Sequence, residues 1–121
     1  MYQAQQFANL AGVTVRSLHY YDRLGLLKPA RRSARGYRLY TDRDLARLEQ
    51  IVVLKYLGLP LKQIRSLLRK ESDLSDVLWR QQATLATRRR QLDQTIQAIQ
   101  AAARSFNHGQ EPDWSLFKKI I

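Results

Sequence analysis

The feature that most constrains this fold is a long stretch in the second half of the chain without glycine or proline. After Asp73, which can cap a helix, neither residue occurs until Gly109, so one continuous helix of about 33 residues and about 50 Å can form. Apolar side chains recur along it every seven residues, and this seam consists of Leu78, Leu85, Leu92 and Ile99, joined by Ile96. Such a helix cannot bury its seam alone, so residues 73–108 are predicted to form a coiled-coil dimerisation helix.

A second row of core positions on the same helix bears on how it pairs. This row reads Gln82, Arg89 and Ile96, so it is only partly apolar. A long parallel zipper would bury both rows along its whole length. We therefore expect a homodimer built on a short antiparallel pair of helices.

Two short helices separated by a glycine are predicted at the start of the chain. Small and aromatic residues lie at helical spacing over residues 4–11, and Gly12 then interrupts the pattern. Thr14 can cap a second helix that runs to about Leu24, and Gly25 can end it in a left-handed conformation. The second helix has a narrow apolar stripe and an opposite face of hydrogen-bond donors and aromatic rings.

A small basic hairpin is predicted after the second helix. Pro29 breaks the helical pattern, Gly36 permits a turn, and residues 37–40 alternate as a short strand should. Four of the residues from 31 to 38 are arginines. This pattern indicates a β-hairpin with a positively charged tip.

Two further helices are predicted to complete the first 70 residues. Thr41 and Asp44 have the spacing of a capping box and open an apolar-periodic helix that Gly58 and Pro60 close. A shorter helix follows over residues 61–68. Residues 1–70 are therefore expected to form one compact four-helix domain with a small hairpin.

The positive charge of the chain is concentrated in its first half. Formal net charge is +11 over 121 residues, of which residues 1–40 contribute +6, residues 41–70 contribute +4 and residues 71–121 only +1. A concentrated positive field binds polyanions by releasing their counterions, and nucleic acid is the usual partner. On charge alone, two alternatives to nucleic-acid binding are open: the positive charge attracts a membrane surface, or it serves only to keep the protein soluble.

Several classes of protein are excluded by what the sequence does not contain. Without cysteine there is no disulfide and no thiolate metal site, and His19 and His108 have no acid at metal spacing. No catalytic nucleophile with a base, no paired carboxylates and no phosphate-binding loop stand out. We therefore expect no enzyme, no cofactor and no metal. With no apolar run long enough to span a bilayer and no signal peptide, a cytoplasmic, nucleoid-associated protein is expected.

The tail, residues 109–121, carries a short apolar pattern. Asp113 is a possible cap, and Trp114, Phe117 and either Ile120 or Ile121 fall on one face. Such a helix needs a partner. Two alternatives are open, in which it packs on the dimer or begins an effector domain that lies beyond this sequence.

Three local motifs resemble the MerR family of bacterial transcription regulators. Residues 8–27, ANLAGVTVRSLHYYDRLGLL, resemble the first motif, Gly36 to Tyr40 followed by Asp44-Leu45 resembles the second, and residues 57–64, LGLPLKQI, resemble the third. The resemblance is continuous over residues 2 to about 70. His19 stands where the family more often has arginine, and Pro60 where it often has a capping serine; proline suits a helix start.

The resemblance implies a fold and a branch of the family. The fold is all-α with a small β-hairpin wing, in which a winged helix-turn-helix head precedes a long antiparallel coiled-coil dimerisation helix. The residues His19 to Asp22 and the tail Asp113 to Phe117 are more similar to the multidrug-sensing, TipA-like branch. In that branch a ligand-binding domain follows the coiled coil, so a small-molecule effector is expected only if a further domain exists.

Candidate DNA-binding residues lie on the second helix and in the hairpin. At the start of the helix, Thr14 and Arg16 are best placed to reach base edges and nearby phosphates. The family uses the Tyr20-Tyr21 pair against phosphate, although the periodicity also allows Tyr21 to be core. Tyr37 could hydrogen-bond phosphate or pack beneath the wing, and the arginines could equally form a solvated loop. The full set is Thr14, Arg16, Ser17, His19, Tyr20, Tyr21, Arg31, Arg35, Tyr37 and Arg38.

The function implied is promoter regulation by a homodimer. MerR-like proteins bind pseudo-palindromic promoters with an over-long spacer between the two polymerase elements, and activate by bending and untwisting it. RNA polymerase is then a partner through the shared promoter DNA. The alternative is a DNA-bending accessory factor, such as an excisionase-like or segregation protein, which has the head without the promoter role.

Overall fold

A computed structural model describes residues 1–105, 111, 114–118 and 121 of the chain. The chain divides into two compact units, residues 1–77 and residues 78–121. The first unit, called the head below, contains most of the helices and the strands. No described helix is long and apolar enough to cross a membrane.

The head begins with a two-residue strand and the predicted helix-turn-helix. Strand β1 is Tyr2–Gln3, helix α1 is Ala4–Ala11 and helix α2 is Val15–Arg23. Gly12 ends α1 with a left-handed φ of 70°, a conformation that glycine adopts without a steric penalty. Thr14 caps α2, because its hydroxyl oxygen accepts a hydrogen bond from the Ser17 backbone N–H at 3.0 Å. Both features match the sequence-based prediction.

The hairpin forms as predicted and gains a third strand that the sequence did not indicate. Strands β2 (Arg31–Arg32) and β3 (Arg38–Tyr40) pair antiparallel, with Arg31 opposite Leu39. Strand β1 pairs with the other edge of β3, placing Tyr2 opposite Tyr40, so the order in the sheet is β1-β3-β2. Two residues are too few to show alternation, and their partner lies far along the chain, so the sequence pattern does not predict β1.

Two helices complete the head. Helix α3 is Asp42–Tyr56, and the predicted capping box is present, with the Thr41 and Asp44 side chains each accepting from the backbone of the other. The Tyr2 hydroxyl donates to Asp42 at 2.6 Å, and this bond to a carboxylate raises the pKa of Tyr2 above its ordinary value. Helix α4 is Leu61–Leu68 and starts after Pro60, as predicted.

The core of the head lies between these helices and the sheet. Phe7 of α1 stacks on Tyr40 of β3, with ring centroids 4.3 Å apart and both side chains fully buried. The other fully buried large side chains are Leu18, Leu26, Leu48, Ile51 and Ile64. Because the packing of α1 and α2 rests on this core, the position of α2 is fixed by tertiary contacts and not by its own helix propensity.

The long helix α5 is Leu74–Ser105, and a short helix α6 is Ser115–Lys118. Next to α6, the Trp114 ring lies 5.9 Å from that of Phe117. The predicted cap Asp113, and Ile120, lie outside the described residues, as do residues 106–108 of the predicted long helix. The expected class, mostly helical with a small wing and a long helix, is confirmed; the antiparallel pairing of that helix stays a prediction.

Candidate nucleic-acid interface

Helix α2, called the recognition helix below, buries one side and exposes the other. Leu18 and Tyr21 are in the core, whereas Arg16, Tyr20 and the cap residue Thr14 are exposed. Ser17 and His19 are half-buried. The predicted contacts from Thr14 to Tyr20 therefore lie on surface that DNA can reach. Arg16 presents its guanidinium from the first turn, where recognition helices contact bases.

Two neighbouring tyrosines of the recognition helix have different environments. Tyr20 is 44% exposed, and the Arg23 guanidinium carbon lies 5.8 Å from its ring centroid. Tyr21 is 2% exposed, and its hydroxyl accepts a hydrogen bond from Lys55 of α3 at 3.3 Å. The exposed Tyr20 can donate its hydroxyl directly to a phosphate. The Tyr21 hydroxyl already accepts a hydrogen bond from Lys55, so this pair would have to contact a phosphate together. The role of each at phosphate stays a prediction.

The tip of the wing is a tight, exposed turn. The Ser33 backbone N–H donates to the Tyr37 carbonyl at 2.8 Å, and the Tyr37 N–H donates to the Ser33 hydroxyl at 3.1 Å. Gly36, with φ of 83°, allows the chain to reverse. The turn leaves Arg31 and Arg35 accessible and Tyr37 59% exposed. Tyr37 does not pack beneath the wing, so of the two predicted roles its exposure favours contact with a ligand.

The predicted wing residue Arg38 is less exposed than its sequence position indicated, and its guanidinium is bound within the head. Its Nε donates to Asp22 Oδ2 on the recognition helix at 3.2 Å, and its side chain is only 27% exposed. Arg32 Nη2 lies 3.7 Å from the same oxygen, and Lys28 Nζ lies 3.5 Å from Oδ1. Asp22 therefore links the recognition helix to the wing, a role that sequence reasoning missed because its partners come from other segments of the chain.

An open cleft joins the recognition helix, the wing and the start of α1. Its volume is about 370 Å³, and it is lined by Gln3, Ala4, Gln5, Val15, His19, Gly36, Tyr37 and Arg38. Three predicted site residues, His19, Tyr37 and Arg38, thus meet in one place. Gln3 and Gln5 were not predicted, and no sequence signal marked them. Gln3 precedes α1 without capping it by its side chain.

The predicted dimerisation seam lies on the surface of α5 in the single chain. Exposed fractions are 37% for Leu78, 44% for Leu85, 58% for Leu92, 50% for Ile96 and 53% for Ile99. These residues recur along a 32-residue helix, so they form a stripe and not scattered apolar positions. Exposed apolar patches larger than scattered single residues are typical of interaction surfaces.

Two family descriptions match this chain. The description "MerR HTH family regulatory protein" matches residues 2–71, and the description "MerR, DNA binding" matches residues 45–108. Together they cover the head and the described part of α5. Both are families of transcription regulators and not of enzymes.

Individual relatives agree with the families. The transcriptional activator Mta of Bacillus subtilis is 37% identical over 110 residues, and TipA of Streptomyces coelicolor is 42% identical over 109 residues; the match covers 90% and 89% of this chain. In each case it covers only 43% of the relative. This chain therefore spans less than half the length of the curated relatives it matches.

Solved structures give the same result. The crystal structure of the Mta N-terminus superposes with a TM-score of 0.76 at 38% identity and covers 83% of this chain and 95% of that one. The cryo-EM structure of an EcmrR–DNA complex superposes with a TM-score of 0.80 at 28% identity, covering 89% of this chain and 40% of that one. The fold is thus that of known DNA-binding regulators.

Proposed function

This chain belongs to the MerR family of helix-turn-helix transcription regulators, and we propose that it acts as a homodimer that binds a specific promoter sequence. The observation that carries the proposal is the surface formed by the recognition helix and the wing. His19 of the recognition helix, Tyr37 and Arg38 of the wing and the start of α1 line one cleft, and Thr14, Arg16 and Tyr20 are exposed on the recognition helix. Residues 1–70, which include this surface, hold +10 of the chain's net charge of +11.

The surface suits the major groove of duplex DNA. The N-terminal residues of a recognition helix contact base edges, and a wing reaches the flanking backbone. We assign Thr14, Arg16, Ser17 and His19 to the groove, and the tyrosines and wing residues to phosphate. Arg16 would form bidentate hydrogen bonds with a guanine.

The exposed seam of α5 supports the homodimer. Pairing two copies through Leu85, Leu92 and the other seam residues would remove this apolar stripe from water. An antiparallel pair related by a twofold axis would carry one head at each end, and so match a pseudo-palindromic site. We therefore propose that both heads bind one duplex.

For the promoter mechanism we propose that binding bends and untwists an over-long spacer. Mta and TipA are described as activators, and the EcmrR–DNA complex has the same fold, which supports activation with RNA polymerase on the shared promoter. Such a protein would act at the nucleoid. A small-molecule effector would bind a further domain, since the matched relatives are more than twice as long as the matched region.

The test starts from the purified chain and a pool of random duplexes. Duplexes retained through repeated rounds are sequenced, and the dissociation constant for the selected duplex is compared with that for a scrambled duplex at fixed salt. We expect an inverted repeat and a preference of about 10³-fold or more, as specific regulators show. Equal affinity for both duplexes would refute sequence-specific binding.

Transcription in vitro then separates promoter activation from mere DNA bending. The selected site is placed in spacers of normal and increased length between the polymerase elements. Activation confined to the longer spacer is expected. A bent duplex without any effect on transcription would favour the accessory factor instead.

A further inference from the structure

The Asp22 carboxylate connects three separate segments of the head. It lies in the last turns of the recognition helix, and cations from the loop before the wing (Lys28), from β2 (Arg32) and from β3 (Arg38) reach it. Its own side chain is 14% exposed. One mostly covered anion thus ties both strands of the wing hairpin to the helix that faces the proposed groove.

The three cations do not contribute equally. Lys28 is 71% exposed and Arg32 is 51% exposed, so water and salt screen their attraction to the carboxylate. Arg38 is 27% exposed and donates a charge-assisted hydrogen bond from Nε. The Arg38 contact therefore fixes the geometry, while Lys28 and Arg32 add to the field around it.

The position of Arg38 determines what its fixed geometry can control. Arg38 starts β3, directly after Tyr37 of the exposed turn, and it lines the cleft together with His19 of the recognition helix. Holding Arg38 against Asp22 therefore sets the orientation of the wing tip relative to the recognition helix. It also limits the directions from which a phosphate can approach this guanidinium.

Resting on the proposed DNA binding, we propose that Asp22 is a positioning residue for sequence specificity: by anchoring Arg38 it orients the wing so that helix and wing fit one operator together. Loss of the carboxylate charge would release the wing, deprive Lys28, Arg32 and Arg38 of this anion and raise the net charge of the head by one. Affinity for the operator then falls, because the two contact surfaces no longer fit together. Affinity for unrelated DNA is kept or rises, because this binding depends on net charge alone.

The variant Asp22→Asn tests the proposal, because asparagine keeps the side-chain size, removes the charge and replaces one acceptor oxygen by an amide NH2 group. Its matched control is Glu49→Gln, which removes the same unit of negative charge from an exposed position of α3. Dissociation constants are measured for the selected and the scrambled duplex at two salt concentrations. We expect the ratio of the two affinities to fall about tenfold in Asp22→Asn, the equivalent of one charge-assisted contact, and to stay unchanged in Glu49→Gln.

The ratio separates positioning from a mere loss of folded protein. A smaller folded fraction weakens binding to both duplexes by the same factor, so it leaves the ratio constant. An Asp22→Asn ratio equal to that of Glu49→Gln overturns the proposal. If the wild-type chain itself has a ratio near one, sequence-specific binding has failed and not the role of Asp22.

A double-variant cycle identifies Arg38 as the group through which Asp22 acts. Arg38→Gln removes the other partner of the same contact. The combined variant is expected to lower the ratio no further than the more affected single variant, because neighbouring residues that share one interaction are not additive. Multiplicative losses would show that Asp22 acts without Arg38, and this would overturn the proposed anchor.

Discussion

The head and the long helix use the same residue types in different ways. Leu48 and Ile51 of α3 are completely buried within the head, whereas Leu85 and Ile99 of α5 remain about half exposed, at 44% and 53%. Both sets follow a helical period, so periodicity alone does not distinguish them. The difference teaches that the head contains its own core, whereas α5 carries an exposed apolar stripe, which we propose a second chain covers.

The largest effect is expected from breaking the seam. Replacing Leu85 and Leu92 by glutamate places charges in the proposed dimer core, which cannot solvate them. We expect a species of one chain, 14.2 kDa, in place of twice that mass, and a loss of about 10²- to 10⁴-fold in operator affinity as the two heads lose their linkage. Light scattering after size exclusion and a binding titration measure these quantities.

The control for the seam variant carries the same charges on the opposite face of α5. The control variant combines Thr87→Glu with Gln94→Glu. Both positions are exposed, and each lies two residues after one of the substituted leucines. This variant should keep the mass of two chains and nearly the full operator affinity. Dissociation in both variants alike would mean that added negative charge, and not the seam, separates the chains.

A smaller effect sharpens the same comparison with a single substitution in each unit. Leu48→Ala should lower the free energy of unfolding by about 2–5 kcal/mol, because it opens a cavity in a completely buried site. This loss should not depend on protein concentration. The loss from Leu85→Ala should grow as the protein is diluted, because it weakens association. Urea unfolding at two protein concentrations a hundredfold apart measures both losses. If the two losses depended on protein concentration in the same way, the comparison between the head and α5 would be contradicted.

An effect confined to DNA binding is expected from Arg16→Ala. Arg16 is exposed at the start of the recognition helix, so its removal should leave the fold intact and weaken operator binding by about 1–3 kcal/mol. Arg43→Ala removes the same charge from an exposed position of α3 and serves as the control. Equal affinity of the Arg16 and Arg43 variants for the operator would defeat the assignment of Arg16 to a base.

The smallest effect is expected at the buried hydroxyl of Tyr40. No described residue hydrogen-bonds this atom, so Tyr40→Phe should raise the free energy of unfolding by about 1 kcal/mol. Tyr37→Phe removes an exposed hydroxyl and should leave the free energy of unfolding unchanged. A loss of stability in Tyr40→Phe would indicate that the hydroxyl does have a partner.

The pH dependence of the Tyr40 variant gives a second measurement. Burial raises the pKa of Tyr40 above its ordinary value of 10.0, because the folded state disfavours the phenolate. The unfolded chain then releases this proton at lower pH than the folded chain. The contribution of this group to stability should therefore be complete below pH 10 and fall as the pH rises above it. Tyr40→Phe should reduce the steepness of that fall.

Local chemistry made much of the head predictable. Gly12, the Thr41–Asp44 capping box and Pro60 act through the backbone next to them, so the end of α1 and the starts of α3 and α4 could be placed from the sequence. The absence of glycine and proline between Asp73 and Gly109 similarly predicted the long helix from the sequence alone. Exposure of the recognition-helix residues around Arg16 followed from the helical periodicity of that segment.

Pairings between distant parts of the chain could not be predicted in this way. Strand β1 exists because Tyr2 meets Tyr40, and the sequence offers no signal for a pairing of two residues across that separation. Arg38 has the sequence pattern of a free DNA contact, because its anchor Asp22 comes from another element. Sequence reasoning did not single out Asp22, because the three cations that reach it come from other segments of the chain.

We propose that two heads joined by α5 bind one duplex together. Sedimentation of the chain with the selected duplex, and with a duplex in which one half-site is scrambled, tests it most directly. We expect two chains per intact duplex and a loss of affinity of at least about a hundredfold when one half-site is scrambled. One chain per duplex, with equal affinity for both duplexes, would contradict it.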